Sequence, residues 1–552
     1  MEKKSSALWL FFVFACLFSQ AQVSENRYLV YFTDKDNTPF SIDQPADFLS
    51  QRAIERRSNQ GIDITVQDLP VDPAYISEIQ ELGDLEIIYS LKWFNASLIE
   101  TTDPQVLDAI ESMENVDRLE VSTWLEGQDE LPELQRYTFQ SKTGEEYGPS
   151  LNQIDMINGL PLHEDGFTGE GLWVGVFDGG FLFTNTAAAL SDLYNSERLL
   201  HKQNFVDGNE DVYIRSTHGT RVLSTMAGFI QDSLIGTGYG ASYGLFITED
   251  VTEERRIEES NWVRAAEYAD SAGYDIINTS LGYTVFDVIE DTYTYADMDG
   301  ETTLITRGSD IAASKGMLIV SSAGNSGNSD WYYISAPADG DSVLAVGAVN
   351  PEAASASFSS RGPSFDGRVK PNVCAQGGPA VFTDLGDGIA TGNGTSFSSP
   401  IIAGMAASLW QAYPQAATAW QIHQSIEQSA NLYANPNDSL GYGIPDFEMA
   451  RNLLDAILST SDVERENSLV VFPNPVSLNQ VLNIELPREY SGELNLRIFS
   501  ISGKIQFARV INSSGISLYS LNLNSSALSA GIYILELQDA RGVSYRQKLI
   551  LD

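Results

Sequence analysis

Cysteine is nearly missing from this chain: Cys16 and Cys374 are the only two in 552 residues. Cys16 lies in an apolar run at residues 7–18, preceded by Lys3 and Lys4 and followed by Ser19, Gln20 and Ala21. That pattern is a secretory signal peptide, placed at 1–21. A lipid-attachment role for Cys16 is a weaker reading, because Leu17 and Phe18 carry the apolar run past it. Once the signal is gone Cys374 is alone, so no internal disulfide is available. A chain sent out of the cell without disulfides must hold together by its core.

Basic side chains are also scarce. Lys and Arg total 32 against 75 Asp and Glu, a net charge of −43. Such a surface argues against nucleic acid or an anionic membrane as a partner. The apolar run at 7–18 is too short to span a bilayer, and no later stretch is long enough. The acidity is uneven. Residues 461–552 hold nine acidic and eight basic residues, so nearly all the excess lies before them.

What is present falls into three parts. Residues 22–140 alternate strand and helix patterns. "RYLVYFT" reads as a strand, "ADFLSQRAIERRS" and "DPAYISEIQELG" as helices, and "EIIYSLKWFNASLIE" as two short strands. "DPQVLDAIESMENVDRLEVS" adds a helix and a last strand. This order fits a ferredoxin-like α+β layout, followed by a polar linker at 125–150. Residues 150–460 alternate buried strands ("GLWVGVFDGG", "DIINTSLG", "MLIVSSAGN", "SVLAVGAV") with helical segments. That is the signature of an α/β parallel sheet with helices on both faces. Residues 461–552 carry seven strand-like runs and no His or Cys. They predict an all-β sandwich without chemistry of its own.

Histidine is the third scarcity, with four residues: His163, His201, His218 and His423. Only His218 stands among small residues, in "STHGTRVLSTMAG". Taken singly each candidate has a bland reading. His218 could be a core histidine, and Asp178 and Asn325 turn residues. Ser396 in "GNGTSFSSP" could cap a helix, the better reading of that stretch alone. Together they carry more. A serine nucleophile needs a base, the base needs a buried carboxylate, and the oxyanion needs donors. Asp178, His218, Asn325 and Ser396 supply these types, each at a strand or helix end.

The motifs "VGVFDGG", "HGTRVLSTMAG", "NTSLG", "SSAGNSG", "APADGDSVLAVGAV", "FSSRGP", "KPNVCAQG" and "GNGTSFSSPIIAGMAA" resemble those of the subtilases, the subtilisin-like serine proteases, in the family's order. The resemblance implies a secreted serine endopeptidase acting on protein and peptide substrates through an acyl-enzyme. It implies that Asp178 orients the base, His218 is the general base and acid, and Ser396 is the nucleophile. The Asn325 side chain and the Ser396 N–H would form the oxyanion hole. Ser280, Leu281 and Gly282 would pair with an extended substrate, and Ala323 and Gly324 would line the main specificity pocket. Core packing is the rival reading for Leu281 and Ala323. Three positions depart from the family pattern. Arg221 replaces a usual histidine, Leu223 a small residue and Phe397 a usual methionine.

The flanking parts fit that resemblance. Residues 22–140 resemble a subtilase propeptide, an intramolecular inhibitor. "VVFPNPVS" and "ALSAGIYILEL" in the last part resemble the sorting domain of type IX secretion. This implies export through the periplasm to the surface or surroundings of a Gram-negative bacterium, with the secretion machinery as a partner. A carbohydrate-binding sandwich is the alternative, without an aromatic platform to support it. A monomer is expected. No cofactor is needed for the implied chemistry. The acidic stretches 284–310 and 207–212 are candidates for structural Ca²⁺, with plain solvated loops as the alternative. Two rival functions remain: a binding protein on an inactive scaffold, and another acyl hydrolase such as an esterase. The intact four residues oppose the first. The absence of G-x-S-x-G around Ser396 opposes the second.

Overall fold

The computed structural model describes residues 23–551 apart from 25, 123, 126–146, 387, 468–469, 475, 478–480, 501–503, 523–527 and 540–543. The expected signal peptide and most of the expected linker lie outside the described residues. The chain divides into two compact units, Met1–Arg451 and Asn452–Asp552. The first contains both the ferredoxin-like part and the peptidase-like part.

The ferredoxin-like part runs β1 (Arg27–Phe32), α1 (Gln51–Asn59), α2 (Pro73–Gln80), β2 (Glu86–Leu91), β3 (Ala96–Glu100), α3 (Pro104–Glu111) and β4 (Val116–Val121). The antiparallel sheet has the order β2-β3-β1-β4, as a ferredoxin-like layout requires. Alternate residues of a strand face opposite sides. Val30, Phe32 and Ile99 accordingly pack on Tyr75, Ile79, Val106 and Ile110 of α2 and α3. Leu29, Tyr31, Tyr89 and Leu98 face the other way and join a core cluster with Trp262, Val263 and Ala266. Both faces of the sheet are therefore buried.

The peptidase-like part is built on seven parallel strands. These are β5 (Trp173–Asp178), β6 (Leu199–Asn204), β7 (Ser242–Ile247), β8 (Ile276–Thr279), β9 (Leu318–Ser322), β10 (Val343–Val349) and β11 (Val373–Gln376). Their order is β11-β10-β9-β8-β5-β7-β6. The order reverses direction at β5 and β8, where the carboxyl ends of open α/β sheets form a crevice. Between the strands run α4 (His218–Ala227), α5 (Arg256–Ala272) and α6 (Leu304–Ser314). A hairpin, β12 (Ala380–Thr383) with β13 (Ile389–Gly392), precedes α7 (Thr395–Gln411), and α8 (Ala419–Gln428) follows. Phe177, Phe246, Ile277 and Ile319 of the sheet meet Trp262 and Ile305 of α5 and α6. Helix α7 packs along β8 to β11 and is buried from Thr395 to Trp410. Such all-round burial marks a central helix. Ile401, Ile402, Met405 and Leu409 are fully buried, each worth about 1.5–3 kcal/mol of apolar transfer. Beside it Cys374 is buried, and burial pushes its thiol up to about 12.

Helix α1 does not cover its own sheet. Its Arg57 contacts Asp270 at the end of α5 (2.7 Å) and Asp68 (2.9 Å), while Lys315 reaches Asp68 at 3.0 Å. Arg56 also pairs with Asp270 (2.6 Å). Glu267 of α5 accepts the backbone N–H groups of Lys92 (2.9 Å) and Trp93 (2.8 Å), in the turn between β2 and β3. These contacts tie the ferredoxin-like part to α5 and α6.

In the second unit the seven strand-like runs merge into five strands. They are β14 (Val470–Phe472), β15 (Val481–Ser500), β16 (Ile505–Asn522), β17 (Gly531–Asp539) and β18 (Ser544–Leu551). β15 and β16 each absorb two of the expected runs. Their pairing shifts register between Glu485 and Tyr490, and this breaks each long strand into two segments. β14 pairs with the first half of β15 and β17 with the second. Val471, Leu482, Ile484, Leu496, Leu535 and Leu549 of both halves share one core.

Candidate active site

Asp178 ends β5 and is 1% exposed. Its carboxylate accepts the Gly179 N–H at 2.9 Å. His218 opens α4, and Thr220 anchors that first turn through Thr184 Oγ1 (2.6 Å) and Leu182 O (2.8 Å). His218 Nδ1 lies 3.0 and 2.9 Å from the two Asp178 oxygens. The carboxylate thereby fixes the tautomer with the proton on Nδ1 and leaves Nε2 free to accept. Burial of the ring pulls its pKa down, the Asp178 charge and hydrogen bond pull it up, and Arg221 opposes; the net direction is up. The other three histidines are held structurally. His163 bonds Thr237 O (3.0 Å), His201 the Tyr274 hydroxyl (2.9 Å), and His423 sits 3.4 Å from Glu427.

Gly394, not Ser396, takes the N-cap position of α7, so the capping reading of Ser396 falls. Ser396 is the second residue of the helix and is 7% exposed. Pro400 stands four residues on, inside the helix. Proline has no N–H, so the Ser396 carbonyl loses its helical donor. Ser280 Oγ supplies the missing hydrogen bond at 3.0 Å. Asn278 Nδ2 donates to Ser280 Oγ (3.2 Å), and Ser399 Oγ donates to Asn278 Oδ1 (2.8 Å). The start of the helix is thus fixed to the end of β8. The Ser396 hydroxyl donates to Ser280 O at 3.4 Å, a long contact for two oxygens.

Asn325 follows β9. Its Oδ1 accepts the Thr395 N–H (2.9 Å) and the Thr395 hydroxyl (3.1 Å). With the oxygen engaged, the NH₂ end is the one left to donate. Gly324 beside it has φ +105°, and a Cβ there would lie 2.8 Å from Ser360 Oγ. Only glycine fits that bend.

The expected substrate-side residues divide. The Leu281 and Ala323 side chains belong to core clusters, Leu281 with Tyr283 and Phe286, Ala323 with Ile334, Ala338 and Ala345. Core packing, their rival reading, describes those two side chains. Ser280 acts through the α7 hydrogen bonds above. Gly282 lies against Ser335, whose Oγ would be 2.2 Å from an added Cβ. Asn278 and Ser399 were visible only as letters of "NTSLG" and "GTSFSSP". A buried serine and asparagine a strand apart give no signal without the fold.

Of the acidic stretches, 284–310 folds onto the core through Phe286, Tyr293 and Met298. Its Asp287 and Asp299 accept nearby backbone N–H groups, Glu254 for the first, Glu301 and Thr302 for the second. Asp207 pairs with Arg215 at 2.6 Å. Among the described residues no group of three or more His, Cys, Asp or Glu side chains is arranged to hold a metal ion.

Comparison with known proteins agrees with this geometry. A family model described as the Subtilase family matches residues 169–443. A Peptidase S8 propeptide domain of Bacteroidota matches 27–136, and a secretion system C-terminal sorting domain matches 470–552. Subtilisin DY of Bacillus licheniformis is 31% identical over 292 residues, 52% of this chain and 93% of the relative. Subtilisin E of Bacillus subtilis (strain 168) is 29% identical over 303 residues, 54% of this chain and 71% of the relative. The thermostable alkaline protease of Halalkalibacterium halodurans is 29% identical over 287 residues, 51% of this chain and 69% of the relative. The chain belongs to the subtilase family: it is a subtilisin-like serine endopeptidase that carries its own propeptide domain and a secretion sorting domain.

Proposed function

We propose that Ser396 is the nucleophile, His218 the general base and acid, and Asp178 the orienting carboxylate of an acyl-enzyme mechanism on protein substrates. The observation that carries this is the buried Asp178 carboxylate bracketing His218 Nδ1 at 2.9 and 3.0 Å, with Ser396 held at the head of α7. Ser396 Oγ attacks the substrate carbonyl carbon and its proton passes to His218 Nε2. The imidazolium that forms is stabilised by Asp178. The oxyanion receives the Asn325 NH₂ and the Ser396 N–H. The C–N bond then breaks as Nε2 returns the proton to the amine. Water, deprotonated by the same nitrogen, hydrolyses the ester and frees Ser396. The substrate backbone lies on 280–282, with 323–324 beside the residue before the scissile bond. No metal takes part in these steps.

The ferredoxin-like part would act as an intramolecular inhibitor until it is cut free. The sorting domain would hand the chain to the type IX machinery, and the mature enzyme would work outside the cell. The test follows casein cleavage and chain mass for wild type beside Ser396→Ala. The expected outcome is that wild type cuts casein and sheds its first ~125–150 residues, while Ser396→Ala does neither. Equal inertness of both proteins, after another protease has removed the N-terminal part, would favour the binding-protein reading.

A further inference from the structure

Arg221 is the departure from the family pattern that the mechanism leaves unused. It lies three residues after His218 on α4, so the two share a helix face. Its guanidinium carbon is 5.5 Å from the ring centroid of Phe382, on the hairpin strand β12. Phe382 stacks on Phe397 at 4.5 Å. Phe397 directly follows Ser396, and its ring is 6.0 Å from the His218 ring. The hairpin is fastened over α4 by the Thr383 N–H to Ser224 Oγ bond (3.0 Å). Phe382 has little room to leave, since a Cβ on Gly392 would lie 2.9 Å from it. The result is a row of neighbouring groups, His218, Phe397, Phe382 and Arg221, in which the two phenylalanine rings stack. Its first member is His218, which in the proposed mechanism returns the proton to the leaving amine, and this associates the row with the leaving-group side of the scissile bond.

The cation at the end of this row lacks an anion. Among the described residues Arg221 makes no ion pair and no side-chain hydrogen bond, and its buried Nε is without a partner. Carboxylates outnumber cations 75 to 32 in this chain, yet among the described residues none pairs with it. Half-burying a guanidinium costs solvation that an aromatic face returns only in part. A carboxylate arriving with the substrate would complete the site.

We propose that Arg221 is a specificity residue that binds an acidic side chain of the substrate at the first or second position after the scissile bond. Phe382 and Phe397 form the apolar wall that holds its guanidinium plane. The inference rests on the reading of Ser396 as nucleophile. A planar guanidinium set over a ring, with Nε buried and, among the described residues, no ion pair or hydrogen bond to its terminal nitrogens, suits bidentate binding of a carboxylate.

The test uses processed enzyme from the full chain and peptides that differ only in Glu against Gln at those two positions, each with an amidated C-terminus. Cleavage of the Gln peptides by wild type and not by Ser396→Ala bears on the nucleophile. The ratio of Glu to Gln bears on Arg221. Wild type should favour Glu by roughly five- to tenfold in kcat/KM at low salt, mostly through KM. The ratio should shrink as salt rises. It should approach one in Arg221→Ala and Arg221→Gln, and survive in part in Arg221→Lys. A second readout is the pH profile. Asp178 and Arg221 are the charged groups that bear on His218, so Arg221→Ala should move the acid limb to higher pH. A ratio of one in wild type overturns the proposal, and that measurement needs no variant to fold. So does a Glu preference that persists in Arg221→Ala. A preference seen only for a free C-terminal carboxylate, tested with non-amidated peptides, overturns the assignment to a side chain.

Discussion

At the scale of single residues the site depends on hydrogen bonds that hold each group one atom away from its task. Asp178 has two of them, one to Gly179 and one shared with His218. Replacing it by Asn would keep the shape and lose the charge that fixes the His218 tautomer. The expected drop in kcat is about 10⁴-fold, measured on a chromogenic peptide. The same variant should lower the His218 pKa, which Asp178 raises, as followed by NMR in a Ser396→Ala background. The sign for stability is also fixed. A raised histidine pKa contributes stability below the ordinary imidazole range, about pH 6.5, and that contribution is lost as pH rises through the raised value. Ser280→Ala removes the donor to the Ser396 carbonyl that Pro400 leaves unpaired. It should cost about 1 kcal/mol in stability, read from a urea midpoint of the Ser396→Ala proenzyme. The four residues of the proposed mechanism stand out in the sequence because that chemistry needs particular side chains inside particular motifs. The support beneath them does not. Asn278 and Ser399 are ordinary letters 121 residues apart, and Phe382 lies on a hairpin without a motif.

At the scale of elements, strands and helices followed the periodicity of the sequence closely. Their pairing followed it less. Helix α1 reads as an ordinary amphipathic helix, yet it serves neither face of its own sheet. Its arginines find Asp270 more than two hundred residues on, a pairing that no local pattern encodes. The two long strands β15 and β16 show the opposite failure. A register shift inside a strand looks, in sequence, like a turn between two strands. Asp270 gives the element-scale prediction. Burial pushes its pKa up, but Lys92, Arg56 and Arg57 outweigh burial and bring it to about 2. A lowered carboxylate pKa contributes stability above the ordinary Asp range, near pH 4, and loses it as pH falls toward 2. Asp270→Asn should therefore destabilise the Ser396→Ala proenzyme by about 3 kcal/mol at neutral pH. The penalty should shrink on acidification, as measured by urea unfolding between pH 2 and pH 7.

At the scale of the whole molecule, the chain is two compact units divided at Arg451 and Asn452. Each has its own apolar core, and the second is built from Val471, Leu482, Leu496, Leu535 and their neighbours. Independent cores unfold independently. Calorimetry of the Ser396→Ala proenzyme should show two transitions, and only one should survive in a chain that lacks the sorting domain. The division into these parts was foreshadowed by charge, because the last segment is nearly neutral while the rest is strongly acidic.

Helix α7 carries both Ser396, the proposed nucleophile, and the centre of the fold. It is enclosed along its length from Thr395 to Trp410, so it has no stable position until the parallel strands have closed around it. If Ser396 is the nucleophile, a chain still threading through an export channel therefore has none that works. The danger that a protease poses to the cell that makes it is postponed by its own architecture, before any inhibitor is considered. Loss of function on heating has the same root: it should coincide with collapse of the peptidase core and not precede it.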